Sequence, residues 1–266
     1  MDWHAAVDGG KRETFDGNDQ PARLFEGNPD SPLLVVCDHA SAYIPPRFKN
    51  LGVDPRTLAS HAAYDIGALG VAREFSGMLD SPLVVSGVSR LVIDCNRSPD
   101  DEQSMPSQSE IFHIPGNRNI APADRRDRIE NIYQPFHDLV EAIANEMKNL
   151  SVMVSIHTFT PVFFGKRRQV DIGLLYDQDR RLAEKVHDIA SQERGVRVAL
   201  NQPYTAQGRF GHTMQRHADP RGLPHLAFEI RNDWVREPTE QVRWGRFFAG
   251  LMLKAVDELA PIVDSA

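Results

Sequence analysis

The stretch LLVVCDHAS, residues 33–41, determines how the rest of the chain is interpreted. Its first five residues are Leu, Val or Cys and follow Pro32, a bounded apolar run that is typical of a buried β-strand. The run ends in Asp38 and His39. Because ligands bind beyond the carboxyl ends of the strands in open α/β sheets, His39 is a candidate site residue. A His–Asp pair that only caps a turn would give the same pattern, so this stretch alone leaves both interpretations open.

Length and composition favour one large α/β domain with an ample core. The chain has 266 residues, of which 41% are hydrophobic and 25% charged. Residues 1–20 are polar and without a usable period, so they are predicted to form a loose N-terminal arm before a single domain over residues 21–266. A net charge of -7 argues against broad attraction to nucleic acid or to an anionic membrane.

The two cysteines and the hydropathy pattern predict a cytoplasmic setting. Cys37 and Cys95 lie in apolar runs, where a cysteine is more often a small buried hydrophobe than a disulfide partner. No apolar run approaches the length of a membrane span, and the N-terminus lacks an apolar signal core. The expected partner is a small molecule, and the oligomeric state is left open.

Alternating and helical patterns predict the remaining elements. Strands are expected over residues 21–26, 83–86, 91–95, 151–157, 170–176, 196–200 and 223–231, and helices from Ser60 onward and over residues 123–150, 179–192 and 238–260. His61 and Asp65 are four apart and are expected on one face of the helix that Ser60 begins. Pro135 should kink its helix. Residues 98–121 show no pattern and are predicted to form a structureless lid.

Charged and metal-binding side chains recur where the predicted strands end. The chain lacks the G-x-S-x-G, P-loop, G-x-G-x-x-G and H-E-x-x-H motifs, which argues against the enzyme classes that carry them. The strand-end groups are His39, Asp94 with Asn96 and Arg97, His157, and Glu229 with Arg231. Two imidazoles and one carboxylate suit a catalytic zinc site, which keeps three protein ligands and one open position.

Several longer motifs follow DHAS in a fixed order: HAAYDIGALGVA, SRLVIDCNRS, IPGN, SIHTF and LPHLAFEIRND. Over roughly Leu33 to Trp234 they resemble the N-formylglutamate amidohydrolase family. The resemblance implies an α/β fold with a mixed central β-sheet and helices on both faces, of the phosphorylase/hydrolase (zinc carboxypeptidase-like) type. It also implies hydrolysis of the formamide of an N-formyl amino acid.

The resemblance implies a zinc site with three ligands. His39 of DHAS, Asp65 of AYD and His157 of SIHT would hold the ion, and His61 is the rival for the place of Asp65. Zinc bound there would activate a water molecule for attack on the amide carbonyl.

The resemblance also implies roles around the metal. Glu229 of FEIR would be the general base. Apart from the resemblance, an arginine such as Arg90 is expected to help zinc to hold the oxyanion. A structural ion pair between Glu229 and Arg231 is the alternative for that carboxylate. Four residues are expected to contact the substrate: Asn96, Arg97, Arg231 and His212.

The first motif departs from the strict deformylase pattern, since it reads DHAS where better-known members have a proline-histidine-glycine type sequence. The acyl group and the amino acid therefore stay open. Two other functions are compatible with the sequence. One is a non-catalytic, metal-dependent sensor of acylated amino acids, and the other is an amidase for larger peptide or cell-wall fragments, which would need an open groove.

Overall fold

The computed structural model describes residues 20–204 and 211–258. The predicted N-terminal arm (residues 1–20) lies outside the described residues except for Gln20. The strands in this part of the chain are β1 (Ala22–Phe25), β2 (Leu33–Cys37), β3 (Leu83–Ser86), β4 (Gln108–Ser109), β5 (Phe112–His113), β6 (Val152–Phe159), β7 (Val162–Phe163), β8 (Lys166–Arg167), β9 (Ile172–Leu175), β10 (Val198–Leu200) and β11 (His225–Arg231). The α-helices are α1 (Pro55–Leu58), α2 (Ala68–Met78), α3 (Pro122–Arg128), α4 (Gln134–Glu146), α5 (Arg181–Ala190), α6 (His212–His217) and α7 (Pro238–Glu258).

Seven strands form one sheet in the order β1-β3-β2-β6-β11-β9-β10. The strands β3, β2, β6 and β11 are parallel to one another, β1 is antiparallel to β3, and β9 is antiparallel to β11. The parallel strands end at one edge of the sheet, so the residues that follow β2 and β3 and those near the ends of β6 and β11 meet there. The mixed α/β sheet expected from the sequence is confirmed.

The strand β2 is apolar throughout because both faces of the sheet are covered. Leu33, Val35 and Cys37 pack in a cluster with α2, α5 and α7. Leu34 and Val36 pack on the opposite side against residues of α4 and α6. A strand buried on both faces needs a continuous apolar run rather than alternation. Helices on both faces, as predicted, are therefore confirmed.

The predicted strand over residues 91–95 is wrong, because this segment forms turns instead. The Asn117 side chain donates to the Leu91 carbonyl at 2.8 Å, and Arg128 donates to the Val92 carbonyl at 2.9 Å. Side chains from the following segments thus replace the ladder that a strand would need. Leu91, Val92 and Ile93 are all buried in a second apolar cluster that includes Ile114, so the apolar run reflects burial rather than pairing.

The helix predicted to begin at Ser60 begins at Ala68 instead. Its N-cap, Gly67, has φ of 82°, a left-handed conformation that glycine adopts without a steric penalty. His61 and Asp65 lie in the preceding turns and do not share a helix face. The Asp65 N–H donates to the His39 carbonyl at 2.9 Å, which holds this segment against the loop after β2.

The predicted long helix and the predicted lid both contain local irregularities. A π-helical turn, Ile129–Tyr133, separates α3 from α4 and lies directly before Pro135, which has no N–H for a regular helical bond. The segment 98–121 is not structureless, since it forms the β4–β5 hairpin and short 3₁₀ turns. Its buried Met105 and Ile114 anchor it in the second apolar cluster.

Cys37 and Cys95 are both free and buried, as expected. Within the described ranges, no helix combines the length and the apolar character that crossing a membrane would require.

Two glycines of α7 differ in the space around them, so their replacement by alanine distinguishes the effect of packing on stability from the effect of helix propensity. A Cβ on Gly245 would lie 2.6 Å from Glu74 Cβ and 2.8 Å from the Val71 carbonyl oxygen, both on α2, whereas a Cβ on Gly250 would meet nothing within 4 Å. We expect Gly245→Ala to lower the free energy of unfolding by about 1–3 kcal/mol through overpacking. Gly250→Ala should raise it by up to about 1 kcal/mol. Urea denaturation measures both, and equal changes would contradict the close α2–α7 approach.

Candidate active site

Three predicted metal ligands meet at the carboxyl-end edge of the sheet. His39 follows β2, His157 lies within β6, and Asp65 lies in the turn before α2. One ligand atom from each residue lies within 4.8 Å of the other two, and all three side chains are buried. The rival ligand His61 is not part of this group. Its Nε2 lies instead 2.9 Å from Glu110 Oε2 in the lid segment.

The Asp65 carboxylate lies between the two imidazoles. Its Oδ2 atom is 2.9 Å from His157 Nδ1 and 3.3 Å from His39 Nδ1. The same oxygen accepts a hydrogen bond from the Thr158 N–H at 3.3 Å. Both histidines therefore turn Nδ1 toward one carboxylate oxygen, and the bond from Asp65 N–H to the His39 carbonyl holds that geometry.

The outer nitrogen of each imidazole faces a second carboxylate. His39 Nε2 is 2.7 Å from Asp94 Oδ1, and His157 Nε2 is 3.2 Å from Asp38 Oδ2. The Thr213 hydroxyl donates to Asp38 and helps to fix it. Metal-binding histidines commonly donate their other ring N–H to a carboxylate, which sets the tautomer and the ring orientation. The arrangement leaves Nδ1 of each ring as the ligand atom.

These carboxylates control the protonation of the two imidazoles. Burial alone would lower the pKa of His157, but its contacts with Asp38 and Asp65 outweigh burial and raise the pKa well above its usual value. Burial and Arg90 also oppose a rise for His39, yet Asp94 and Asp65 raise its pKa. Burial tends to raise the pKa of the Asp65 carboxyl, but the two histidines hold it below its ordinary value. The centre thus favours bound positive charge.

The donor set fits a divalent metal. Two imidazole nitrogens and one carboxylate oxygen converge, and each imidazole is oriented by an outer carboxylate. When both histidines are neutral, the negative charge of the buried Asp38, Asp65 and Asp94 carboxylates also exceeds the positive charge of the two neighbouring arginines. A dication at the Nδ1 atoms would turn that net negative charge into a net positive one, and this N/N/O set is one that zinc commonly accepts.

Asp94 organises the neighbouring arginines. Its Oδ2 accepts hydrogen bonds from Arg90 at 2.7 Å and from Arg97 Nε at 3.3 Å, while its Oδ1 accepts one from the Asn96 N–H at 2.9 Å. Arg90 also lies 3.2 Å from His39 Nδ1, beside the ligand atoms. Arg90, Asn96 and Arg97 all line the same cavity as the ligand group. Asp94 therefore holds two guanidinium groups, those of Arg90 and Arg97, beside the metal-binding residues.

Glu229 lies beside the ligand group with an unpaired carboxylate oxygen. It is directly opposite His157 in the β11–β6 register and is 7% exposed at the cavity wall. Among the described residues, its Oε2 has no hydrogen-bond partner. Burial raises the pKa of this carboxyl to about 7. A carboxyl group with that pKa is suited to exchange protons near neutral pH.

Two of the residues predicted to bind substrate lie away from the cavity. Arg231 donates to Asp171 at 2.6 Å and to Asp233 at 2.7 Å, so it neutralises those carboxylates rather than Glu229. His212 has its Nε2 2.6 Å from the Tyr133 hydroxyl. Neither side chain lines the cavity. Contact between these residues and a substrate is not supported by this arrangement, and the alternative pairing of Glu229 with Arg231 is wrong.

The cavity has a volume of about 840 Å³ and is covered by two hairpins. The lid segment contributes Gln108 and Glu110 of β4–β5, and the β7–β8 hairpin contributes Phe163 and Phe164. The Phe164 N–H donates to Glu110 Oε1 at 2.6 Å, which joins the hairpins directly. The segment predicted as a lid thus lines the cavity and contacts a second covering element.

Several site residues were missed from the sequence. For Asp38 the sequence left a site role and a turn-capping role open, and it did not predict that this carboxylate faces His157; an acidic residue next to a strand-end histidine is a usable signal for an outer carboxylate. Arg168 and Tyr204 carry no recognisable motif, yet both line the cavity. Gly173 allows the segment that leads to Tyr204 to pack closely against β9, because a Cβ at this position would lie 1.8 Å from the Gln202 carbonyl oxygen.

The chain is similar to several known proteins. A crystal structure of a gene product from Agrobacterium tumefaciens matches 90% of this chain and 96% of its own, with 40% identity and a TM-score of 0.87. The crystal structure of N-formylglutamate amidohydrolase from Ralstonia eutropha matches 90% of this chain and 98% of its own, with 17% identity and a TM-score of 0.70, and so supports the fold. The N-formylglutamate deformylase of Pseudomonas putida is 24% identical over 232 residues, which are 79% of this chain and 83% of that protein.

The family model for N-formylglutamate amidohydrolase matches residues 31–235. This range includes the histidines and Asp65 of the ligand group, the DCNR segment and Glu229. Because the match spans most of the chain, the protein belongs to the N-formylglutamate amidohydrolase family, whose members are hydrolases that act on amides.

Proposed function

We propose that this protein is a zinc-dependent amidohydrolase that removes the formyl group, or another small acyl group, from an N-acyl amino acid such as N-formylglutamate. The observation that carries the proposal is the unpaired, buried carboxylate of Glu229 beside the His39–Asp65–His157 group. A metal-dependent sensor needs the ligand group but has no use for a general base whose pKa is about 7.

The chemistry divides between the metal and the residues of the chain. Zinc, when bound by His39, Asp65 and His157, would acidify a water molecule and polarise the amide carbonyl. Glu229 accepts a proton from the attacking water and returns it to the leaving nitrogen, so that the C–N bond breaks to give formate and an amine. Arg90 donates to the oxygen that becomes negatively charged during attack.

Asn96 and Arg97 orient the substrate. Both line the cavity, and a guanidinium group matches the geometry of the α-carboxylate of an amino acid. Asp94 holds Arg97 in place at 3.3 Å, which lowers the entropic cost of binding because the side chain is already ordered. The contact between Glu110 and Phe164 joins the two hairpins that line the cavity, and this favours a small substrate over a long peptide or a cell-wall strand, since either would need an open groove.

The first prediction concerns the metal. Purified protein should bind about one zinc per chain. His39→Ala and His157→Ala should each lose the zinc, because a three-ligand site loses most of its metal affinity when one ligand is removed. His113→Ala, at an exposed position in β5, is the matched control and should keep zinc. Metal analysis after dialysis measures the content, and full occupancy in both ligand variants would rule out this ligand assignment.

The second prediction concerns Glu229. Glu229→Gln keeps the volume but cannot accept a proton, so kcat should fall by about 10²- to 10⁴-fold while zinc content and folding persist. Steady-state kinetics with N-formylglutamate and metal analysis of the same sample give both readouts. Lost zinc would instead make Glu229 a ligand, and near-normal turnover would assign the base to another residue.

The third prediction concerns Arg97. Arg97→Ala should weaken substrate binding by roughly 2–4 kcal/mol with zinc retained, and Arg97→Lys should recover only part of it, because lysine cannot make the bidentate contact. The assay compares an N-formyl amino acid with its carboxamide. An unchanged preference for the carboxylate in Arg97→Ala would place the clamp elsewhere.

A further inference from the structure

Arg168 has an unusual environment at the cavity wall. It follows the β7–β8 hairpin, and its guanidinium carbon lies 4.5 Å from the ring centre of Tyr204, 4.6 Å from that of Phe163 and 5.5 Å from that of Phe159. Aromatic faces attract a guanidinium group and hold its plane, but they do not neutralise its charge. The surrounding rings therefore order this side chain while leaving its charge available.

The polar contacts of Arg168 are also neutral. It donates to the Thr160 carbonyl at 3.2 Å and contacts the Tyr204 side chain. No carboxylate in residues 20–204 or 211–258 lies within 4 Å of its guanidinium. Arg90 and Arg97, in contrast, are paired with aspartates at 2.7 Å and 3.3 Å. Arg168 is thus a cation that aromatic rings hold in place, without a close ion-pair partner in the described part of the chain, and it lines the cavity.

Arg168 lies on the opposite flank of the centre from Arg97. Across the sheet, Arg97 follows β3, His39 follows β2, His157 lies on β6, and Glu229 lies on β11. Arg168 comes next, because it precedes β9, the neighbour of β11 on the far side. A substrate whose carboxylate binds Arg97 therefore passes the metal-binding group and Glu229 before it reaches Arg168.

Two further observations agree with this position. Arg168 and Glu229 line the same cavity, so the guanidinium lies in the space that also contains the proposed general base. Burial raises the pKa of Tyr204 to about 12, so its hydroxyl stays protonated and can donate a hydrogen bond to an anion at Arg168.

We propose that Arg168, with the Tyr204 hydroxyl, forms a second carboxylate-binding subsite that makes the enzyme selective for dianionic N-acyl amino acids. The inference rests on the proposed amidohydrolase function and assigns the specificity of that same site. The second carboxylate can come from the amino-acid side chain or from the acyl group, and the chemistry recognised at Arg168 is the same in both cases.

The test compares pairs of substrates that differ in one carboxylate. N-formyl-L-glutamate and N-formyl-L-glutamine examine the side-chain source. N-succinyl-L-alanine and N-butyryl-L-alanine examine the acyl source. The variants are Arg168→Met, Arg168→Lys and the control Arg126→Met, which removes an exposed arginine of α3 that does not line the cavity.

We expect the zinc-loaded protein to prefer the dianionic member of one pair. In Arg168→Met, the ratio of kcat/KM for that pair should fall by about 10- to 100-fold, as the loss of a charge-assisted contact predicts. Arg168→Lys should give an intermediate ratio, and Arg126→Met should change the ratio by less than about 5-fold, as for an exposed charge outside the cavity. The pair that responds identifies the source of the second carboxylate.

A purely structural role for Arg168 would lower kcat/KM for both members of a pair equally, and that result, or an unchanged ratio, overturns the proposal. Calorimetric measurement of the binding of L-glutamate and L-glutamine distinguishes failure of the subsite proposal from failure of the proposed function. If no amide is cleaved but glutamate binding depends on Arg168, the subsite stands and the catalytic proposal fails. If amides are cleaved and neither pair nor ligand binding responds to Arg168→Met or Arg168→Lys, the subsite is rejected and the catalytic proposal stands.

Discussion

The buried Asp65 carboxylate is the interaction on which the centre depends. An ionised carboxylate away from water is costly unless cations or hydrogen-bond donors surround it. Here two imidazoles and a backbone N–H face it, and the outer side of each imidazole meets another carboxylate. Each acidic group thus requires a positive neighbour, and Arg90 and Arg97 supply only part of that charge. A centre built in this way favours a bound cation. Once a dication is bound, the net charge of the centre becomes positive, and this positive charge favours an anionic substrate beside it.

The fold and the two predicted histidine ligands could be predicted from the sequence because each depends on a local sequence pattern. The apolar runs before His39 and around His157 and Glu229 are strands buried on both faces, and such strands need continuous apolar sequence. Polar residues at or near their carboxyl ends then stand out. Parallel pairing brings those ends to one edge, so the clustering of His39 and His157 follows from the strand order.

The rest could not be predicted because it depends on contacts between distant parts of the chain. The apolar pattern of residues 91–95 predicts a strand. In the structure, however, the side chains of Asn117 and Arg128 donate hydrogen bonds to the Leu91 and Val92 carbonyl groups, so no partner strand is needed there. Arg231 shares a strand face with Glu229, yet Asp171 from a different segment takes up its charge. Arg168 has no motif at all, because its environment is assembled from rings that lie before and after it in the chain.

The position of β11 has a consequence for how the chain folds. This strand lies between β6 and β9 in the middle of the sheet, but it comes last of the seven in the sequence. Until residues 225–231 leave the ribosome, β6 and β9 have no partner between them, and open strand edges invite wrong pairing. Contacts of such long sequence separation also form slowly. The nascent chain therefore carries both histidines and Asp65 long before it gains Glu229. A product truncated before β11 would have an incomplete sheet and would lack the proposed base.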